Sequence, residues 1–137
     1  MVSKEVISEF LKSEFPQTKC VVDVVGEQNA TVRQAIGFDD LRPGGTVSGP
    51  TLMAVADVAL YVAILGRIGL VSLAVTTNLS INFLRKPAPD KDIIGECKLI
   101  KCGKTLIIGE VSLYSDGNNE PVAHVVGTYS VPPAKKS

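Results

Sequence analysis

The alternation of apolar and polar residues divides the chain into helix, two strands, helix and four strands. The first apolar residues recur on one helical face, with charged residues between them, which predicts an amphipathic helix over residues 3–15. Pro16 ends it, because the residue before a proline disfavours helical backbone. Two β-rich segments, 20–25 and 30–36, follow and are joined through residues 26–29 as a hairpin.

An almost wholly apolar segment predicts a second helix after a loop at 37–45. Ser48 suits its N-cap, and we expect the helix to run from about residue 50 to 65 and to end at Gly66. Because this helix lacks a polar face, we expect it to be covered on all sides. It is too short to span a membrane comfortably and carries Asp57 near its middle, which favours a core helix.

Four strands complete the pattern. Residues 71–84 alternate strictly between an apolar face and a face of small polar side chains. The remaining strands are expected at 93–101, 105–115 and 121–131. This order predicts an α+β fold in which one antiparallel sheet curls around the central helix. The polar face of strand 71–84 then has nothing to cover it in one chain, which favours pairing with a second copy.

Length and composition fit one globular domain, 1–137, with a core at about 19–131 and a solvated tail at 132–137. The 137 residues are 45% hydrophobic and 20% charged, with 14 basic and 14 acidic side chains. This balance gives no bulk field for nucleic acid or an anionic membrane. Three cysteines without a Cys-x-x-Cys pair predict reduced thiols and no metal site, and the first residues lack a secretory leader, so we expect a cytoplasmic protein.

Asp57 is the only charged residue between Pro43 and Gly66. An ionised carboxylate in apolar surroundings is costly unless it is paired or hydrogen-bonded, and such groups are candidates for functional sites. Helical spacing places four side chains on its face, namely Met53, Ala54, Leu60 and Tyr61. The structural alternative is that Asp57 caps a neighbouring turn or bonds Tyr61.

The helix begins with the glycine-rich segment Gly44-Gly-Thr-Val-Ser-Gly49, two turns before Asp57. The start of a helix offers free N–H groups and a positive partial charge, and such donors stabilise the oxyanion of acyl transfer. A glycine-rich loop alone is weak support, since most are only turns. Together with Asp57 it predicts an acyl-transfer site, with a donor for the carbonyl oxygen and a base or nucleophile.

These residues resemble the PaaI-like (phenylacetyl-CoA thioesterase) branch of the hot-dog thioesterases over roughly residues 40–130. Three segments carry the resemblance: Val47-Ser-Gly-Pro-Thr-Leu-Met-Ala-Val-Ala-Asp57, Thr76-Thr-Asn-Leu-Ser-Ile-Asn-Phe-Leu-Arg85 and Lys101-Cys-Gly-Lys104. The family has a histidine and a second glycine where this chain has Ser48 and Pro50, and often an asparagine at the position of Arg42.

The resemblance implies an acyl-CoA thioesterase that needs no cofactor and works as a homodimer or a dimer of dimers. Asp57 would be the base or nucleophile, the Gly49 N–H the oxyanion donor, and Thr76 would orient water or the carboxylate from the partner subunit. Ser48, at the position of the family histidine, is the fourth candidate catalytic residue. The basic side chains expected to meet the phosphates of CoA are Arg85, Lys86, Lys101 and Lys104; for each of them a solvated surface position is the alternative. The expected lining of the acyl pocket is Met53, Leu60, Tyr61 and Phe83.

One other function fits the same residues, and a second does not. The missing family histidine favours a non-catalytic acyl-CoA-binding protein as the alternative. A dehydratase of this family would need a histidine beside the helix carboxylate, whereas His124, the only histidine, is predicted on the last strand as a structural residue.

Overall fold

The computed structural model describes residues 2–132, which form two α-helices, a six-stranded sheet and a small two-stranded hairpin. The helices are α1, Lys4–Glu14, and α2, Gly49–Ile68. The strands are β1, Val21–Val25; β2, Asn29–Gln34; β3, Leu41–Arg42; β4, Thr46–Val47; β5, Val75–Phe83; β6, Ile93–Cys102; β7, Leu106–Ser115; and β8, Ala123–Ser130. The predicted tail lies outside the described residues apart from Pro132.

The main sheet has six antiparallel strands in the order β1-β2-β6-β7-β8-β5, and α2 packs across its inner face. This is the predicted α+β arrangement, a sheet wrapped on a central helix, and the prediction is confirmed. The hairpin predicted through residues 26–29 is present, with Val25 paired to Ala30. Strand β5 pairs only with β8, so its other edge is open in the single chain.

Helix α1 is confirmed to within one residue at each end. The Ser3 side chain accepts a hydrogen bond from the Val6 N–H at 3.2 Å, which satisfies one of the free donors of the first turn. Ile7 and Leu11, one turn apart, are buried against β1 and α2. The amphipathic spacing therefore did describe the face that joins α1 to the core.

Helix α2 is longer than predicted at its C-terminal end. It passes through Gly66 and ends at Ile68, capped by Gly69, whose φ of 106° is a conformation that favours glycine. Gly66 serves packing instead, because a Cβ there would meet Val25 Cγ1 at 2.6 Å. The prediction that Gly66 ends the helix is therefore wrong.

The prediction that α2 is covered on all sides is also wrong. Most of the helix is buried, but Pro50, Met53 and Ala54 are exposed and Asp57 is half-buried, which leaves one open face. By length and composition α2 could cross a membrane, yet 67% of its most apolar window is buried inside the fold. The burial is therefore that of a core helix with one face exposed in the single chain.

Strand β5 begins at Val75, not at residue 71. Residues 71–74 form a turn closed by a hydrogen bond from the Ala74 N–H to the Val71 carbonyl, at 3.2 Å. The register with β8 shifts between Thr76 and Asn78, where β5 carries a bulge. The predicted single alternation from 71 to 84 is therefore broken. The predicted loop at 37–45 also contains a 3-10 turn, Phe38–Asp40, and the first strand and turn of the β3–β4 hairpin.

Leu60 fixes how closely α2 lies on the sheet. Gly109 and Gly127 face each other across β7 and β8, and a Cβ on either would come within 2.5 or 2.6 Å of a Leu60 methyl carbon. Leu60 is fully buried in this glycine gap. It therefore belongs to the core and lines none of the cavities around Asp57, contrary to the prediction that it lines the acyl pocket.

We predict that Gly127→Ala destabilises the fold by about 1–3 kcal/mol, because the added methyl group overpacks the contact with Leu60. Chemical denaturation would give the free energy of unfolding. The double variant Gly127→Ala/Leu60→Ala should lose less than the sum of the two single variants, since the smaller side chain makes room for the methyl group. Strict additivity would show that this contact does not set the helix–sheet distance.

Candidate active site

The Asp57 carboxylate receives two hydroxyl hydrogen bonds from the sheet. Thr76 Oγ1 donates to Asp57 Oδ1 at 2.6 Å, and the Tyr129 hydroxyl donates to the same oxygen at 2.9 Å. The Tyr129 hydroxyl also lies 3.3 Å from the Asp57 backbone carbonyl oxygen. Both partners belong to the same chain as Asp57, so the prediction that Thr76 reaches across from a partner subunit is wrong.

The bulge in β5 explains why Thr76 faces Asp57. Thr76 pairs with Tyr129 and Asn78 pairs with Thr128, so Thr77 is an extra residue in β5. Because of it, Thr76 and Asn78 point to opposite faces of the sheet, although they are two residues apart. Without the bulge Thr76 would share the outer polar face with Asn78 and Ser80. A bulge re-aims a side chain at the cost of one regular pairing. Sequence alternation cannot reveal this reversal.

Tyr129 is the site residue that the sequence reasoning missed. It is 4% exposed, and its ring stacks on Tyr61 with ring centroids 6.0 Å apart. Burial, and next the charge of Asp57, raises the pKa of Tyr129, so its hydroxyl keeps its proton and acts as a donor. The alternation of Val125, Gly127 and Tyr129 was a signal that this ring faces inward.

Asp57 lines three cavities on the open side of α2. One, of about 390 Å³, runs between Phe15, Cys20 and Val58; a second, of about 500 Å³, runs between Phe15, Tyr61 and Tyr129. The third, of about 380 Å³, is bounded by Met53 and Leu79. A larger concavity of about 590 Å³ lies on the outer face of the sheet and includes no residue of α2. The three cavities that meet at Asp57 are therefore the candidate substrate sites.

The start of α2 leaves one N–H group free. The Thr51 N–H donates to Ser48 Oγ at 3.3 Å, the Leu52 N–H donates to the Ser48 carbonyl at 3.2 Å, and Pro50 has none. Within residues 2–132 nothing accepts a hydrogen bond from the Gly49 N–H. Ser48 thus acts as the helix cap, and Gly49 carries the donor that remains for a ligand.

A buried carboxylate holds this segment in place. Asp40, 5% exposed, accepts hydrogen bonds from Gln34 Nε2 and Thr51 Oγ1, each at 3.2 Å, and from the Gly37 N–H at 2.9 Å. The Ser48 N–H donates to the Asp40 carbonyl at 2.8 Å. These bonds fix the position of the helix start, and the sequence reasoning had placed Asp40 in an undefined loop.

The other predicted pocket residues lie at different points of the open face. Met53 borders the 380 Å³ cavity and Tyr61 the 500 Å³ cavity. Phe83 lies over the start of α2, where a Cβ on Gly49 would meet its ring at 3.2 Å. Phe83 and Gly49 thus occupy one end of β5, and Thr76 and Asp57 the other.

The basic residues predicted to bind phosphates do not form one cluster in a single chain. Arg85 and Lys86 follow the C-terminal end of β5. Lys101 and Lys104 flank the β6–β7 turn, which lies at the same end of the sheet as the N-terminus of β5. All four are exposed. Arg85 is engaged by Glu120, with Nε 2.9 Å from Oε2. The two pairs are separated by the length of β5, about 27 Å for nine extended residues.

Two further residues with reactive side chains take no part in the Asp57 site. Burial raises the pKa of Cys20, which borders the 390 Å³ cavity, to about 11, so its thiol stays protonated near neutral pH and is a poor nucleophile. His124 lies on the outer face of the sheet, with Nε2 3.2 Å from Glu110 Oε2. It is on the opposite side from Asp57, in the structural position that the sequence predicted.

The chain is similar to known thioesterases in sequence and structure. The model of the thioesterase superfamily matches residues 44–122. A candidate thioesterase from Silicibacter sp. TM1040 is 41% identical over 97% of this chain and 94% of its own, with a TM-score of 0.89. No match was found among curated proteins.

Two more distant structures share the fold. The PaaI protein of the E. coli phenylacetic acid degradation operon is 19% identical, with a TM-score of 0.75 over 93% of this chain and 92% of its own. A hypothetical thioesterase of Streptococcus pneumoniae, solved with coenzyme A, is 17% identical, with a TM-score of 0.78 over 92% and 99%. The match to the superfamily model covers more than half of the chain. The strands and helices of this chain follow the architecture of the Silicibacter structure. The chain therefore belongs to the thioesterase superfamily and has its hot-dog fold.

Proposed function

We propose that this protein hydrolyses a small or medium acyl-CoA, aliphatic or aryl, to the free acid and CoA. The observation that carries the proposal is the half-buried Asp57 carboxylate, held by two hydroxyl groups where three cavities meet. A carboxylate in such a position can take a proton from water or attack a carbonyl carbon. The superfamily membership supports thioester hydrolysis as the reaction.

As a base, Asp57 takes a proton from a water molecule whose oxygen bonds to the thioester carbonyl carbon. The C–S bond then breaks, and the proton passes to the sulfur, so that the products are the acid and CoA thiol. As a nucleophile, Asp57 would form a mixed anhydride and release CoA, and water would then cleave the anhydride. In both routes charge develops on the carbonyl oxygen and needs a donor.

The Gly49 N–H is the proposed donor, but it cannot serve the Asp57 of its own chain. The two residues are eight positions apart on one helix, about 12 Å along its axis. The N–H groups at a helix start point out of that end, so a bound oxygen would lie about 15 Å from Asp57. A water molecule between the carboxylate and the carbonyl spans only about half of that distance.

A second copy paired along β5 resolves this separation. The open edge of β5 offers unpaired backbone groups, and seven of its nine residues, all except Leu79 and Ile81, are exposed, which suits antiparallel pairing about a twofold axis. Such pairing brings the Phe83 end of one strand, with Gly49, beside the Thr76 end of the other, with Asp57. We therefore propose a homodimer in which each site uses Asp57 of one copy and Gly49 of the other.

The same pairing would unite the basic residues. Arg85 and Lys86 of one copy would approach Lys101 and Lys104 of the other, which makes a local positive site for the phosphates of CoA without any excess charge overall. The ion pair of Arg85 with Glu120 is exposed and can exchange its partner at little cost. The acyl group would occupy the cavities beside Met53 and Tyr61, with Phe83 at the thioester end.

We predict that Asp57→Asn lowers thiol release from acyl-CoA by about 100- to 10,000-fold, because the amide cannot accept the proton. A thiol-release assay across short, medium and aryl acyl-CoA thioesters measures this, and the unfolding temperature controls for folding. Asp57→Asn should still bind acyl-CoA. Undiminished release by the variant contradicts the assignment, and binding without release by the unaltered protein favours the non-catalytic alternative.

We predict that Asn78→Lys/Ser80→Lys in β5 converts the protein to monomers, because lysines at an open strand edge oppose pairing with a like-charged copy. Light scattering on a sizing column gives the mass. The matched control, Val21→Lys/Val24→Lys, places the same charges on exposed positions of the other outer strand and should leave the mass unchanged. A dimer that survives the β5 substitutions would exclude this interface.

A further inference from the structure

We infer that Tyr129 is a positioning residue: with Thr76 it holds Oδ1 of Asp57 and thereby assigns Oδ2 as the reacting oxygen. The inference rests on the proposed function, since it gives one atom of the proposed catalytic carboxylate its role. Tyr129 itself touches no reacting atom in this scheme and acts only through Asp57.

Both donors converge on one oxygen from neighbouring strands. Thr76 and Tyr129 are direct partners in the β5–β8 register, so the bulge that turns Thr76 inward sets it beside the phenol. Their hydroxyls lie 2.6 and 2.9 Å from Asp57 Oδ1. A carboxylate oxygen has about two lone-pair sites, so these bonds occupy Oδ1. Within residues 2–132 no group donates a hydrogen bond to Oδ2, which is left for water or substrate.

Tyr129 is suited to hold the carboxylate because it is itself held on both sides. Its ring is buried and stacked on Tyr61, and its hydroxyl is anchored between the side chain and the backbone carbonyl of Asp57. A raised pKa keeps the hydroxyl protonated, so that it donates and does not compete as a base. Tyr129 is therefore a rigid support.

Tyr114 provides a control outside the site. It lies on β7 and borders a separate concavity with Glu96 and Asn118, away from the cavities that meet at Asp57. Tyr129→Phe and Tyr114→Phe each remove one phenolic oxygen. Only the first removes a support of the carboxylate.

The test compares kcat and KM for thiol release by the purified, unaltered protein and the variants, on whichever acyl-CoA gives the fastest turnover. Tyr129→Phe should lower kcat by about 10- to 100-fold, the effect of one hydrogen bond to a charged group, with KM within about twofold. Thr76→Val should behave alike, and Thr76→Ser, which keeps the hydroxyl, should recover most of the rate. Combining Tyr129→Phe with Thr76→Val should cost less than the product of the two losses, since both hold one oxygen.

The inference is overturned if Tyr129→Phe is no slower than Tyr114→Phe, or if its loss falls on KM instead of kcat. It is equally overturned if the losses of Tyr129→Phe and Thr76→Val multiply fully, because two residues that act together on one oxygen should show coupled effects. These outcomes differ from a failure of the proposed function, in which Asp57→Asn would turn over as fast as the unaltered protein. Unfolding temperatures establish that each variant is folded at the assay temperature.

Discussion

The hydrogen bonding of one carboxylate accounts for much of the local structure. Asp57 interrupts the most apolar helix of the chain, and a charge in that position is costly without donors. Its donors come from the last strand, through Tyr129, and from the edge strand, through Thr76. The bulge in β5 is explained by this need, because it turns Thr76 inward. The open face of α2 follows as well, since the carboxylate keeps one oxygen accessible.

The parts of this arrangement that depend on neighbours in sequence were predictable. The spacing of apolar residues located both helices, and Ser48 could be identified as a cap because a cap bonds to the backbone three residues on. The isolation of Asp57 in apolar sequence marked the site without any structure. These features depend on contacts within one turn of helix or on the composition of one segment.

The parts that depend on contacts between distant segments were not predictable. Gly66 looks like a helix terminus, but it is a glycine because the side chain of Val25 in β1 leaves no room for a Cβ. The helix cap is Gly69. Leu60 lies one turn from Asp57, yet the gap formed by Gly109 and Gly127 draws it into the core. Strict alternation placed Thr76 on the outer face, and only the register with β8 reveals the bulge.

The proposed active site combines Asp57 of one copy with Gly49 of another. Gly49→Pro removes the proposed donor. Ser48 already has the extended backbone that precedes proline, and the added Cβ would press on the Phe83 ring at 3.2 Å, so the ring must shift by a few tenths of an ångström. The decisive measurement is thiol release by a heterodimer of Asp57→Asn and Gly49→Pro chains, purified through two different tags. Each parent homodimer should be inactive, and the heterodimer should regain about half of the unaltered activity, because one of its two symmetric sites contains both native residues. A heterodimer as inactive as its parents would contradict a site shared between two copies.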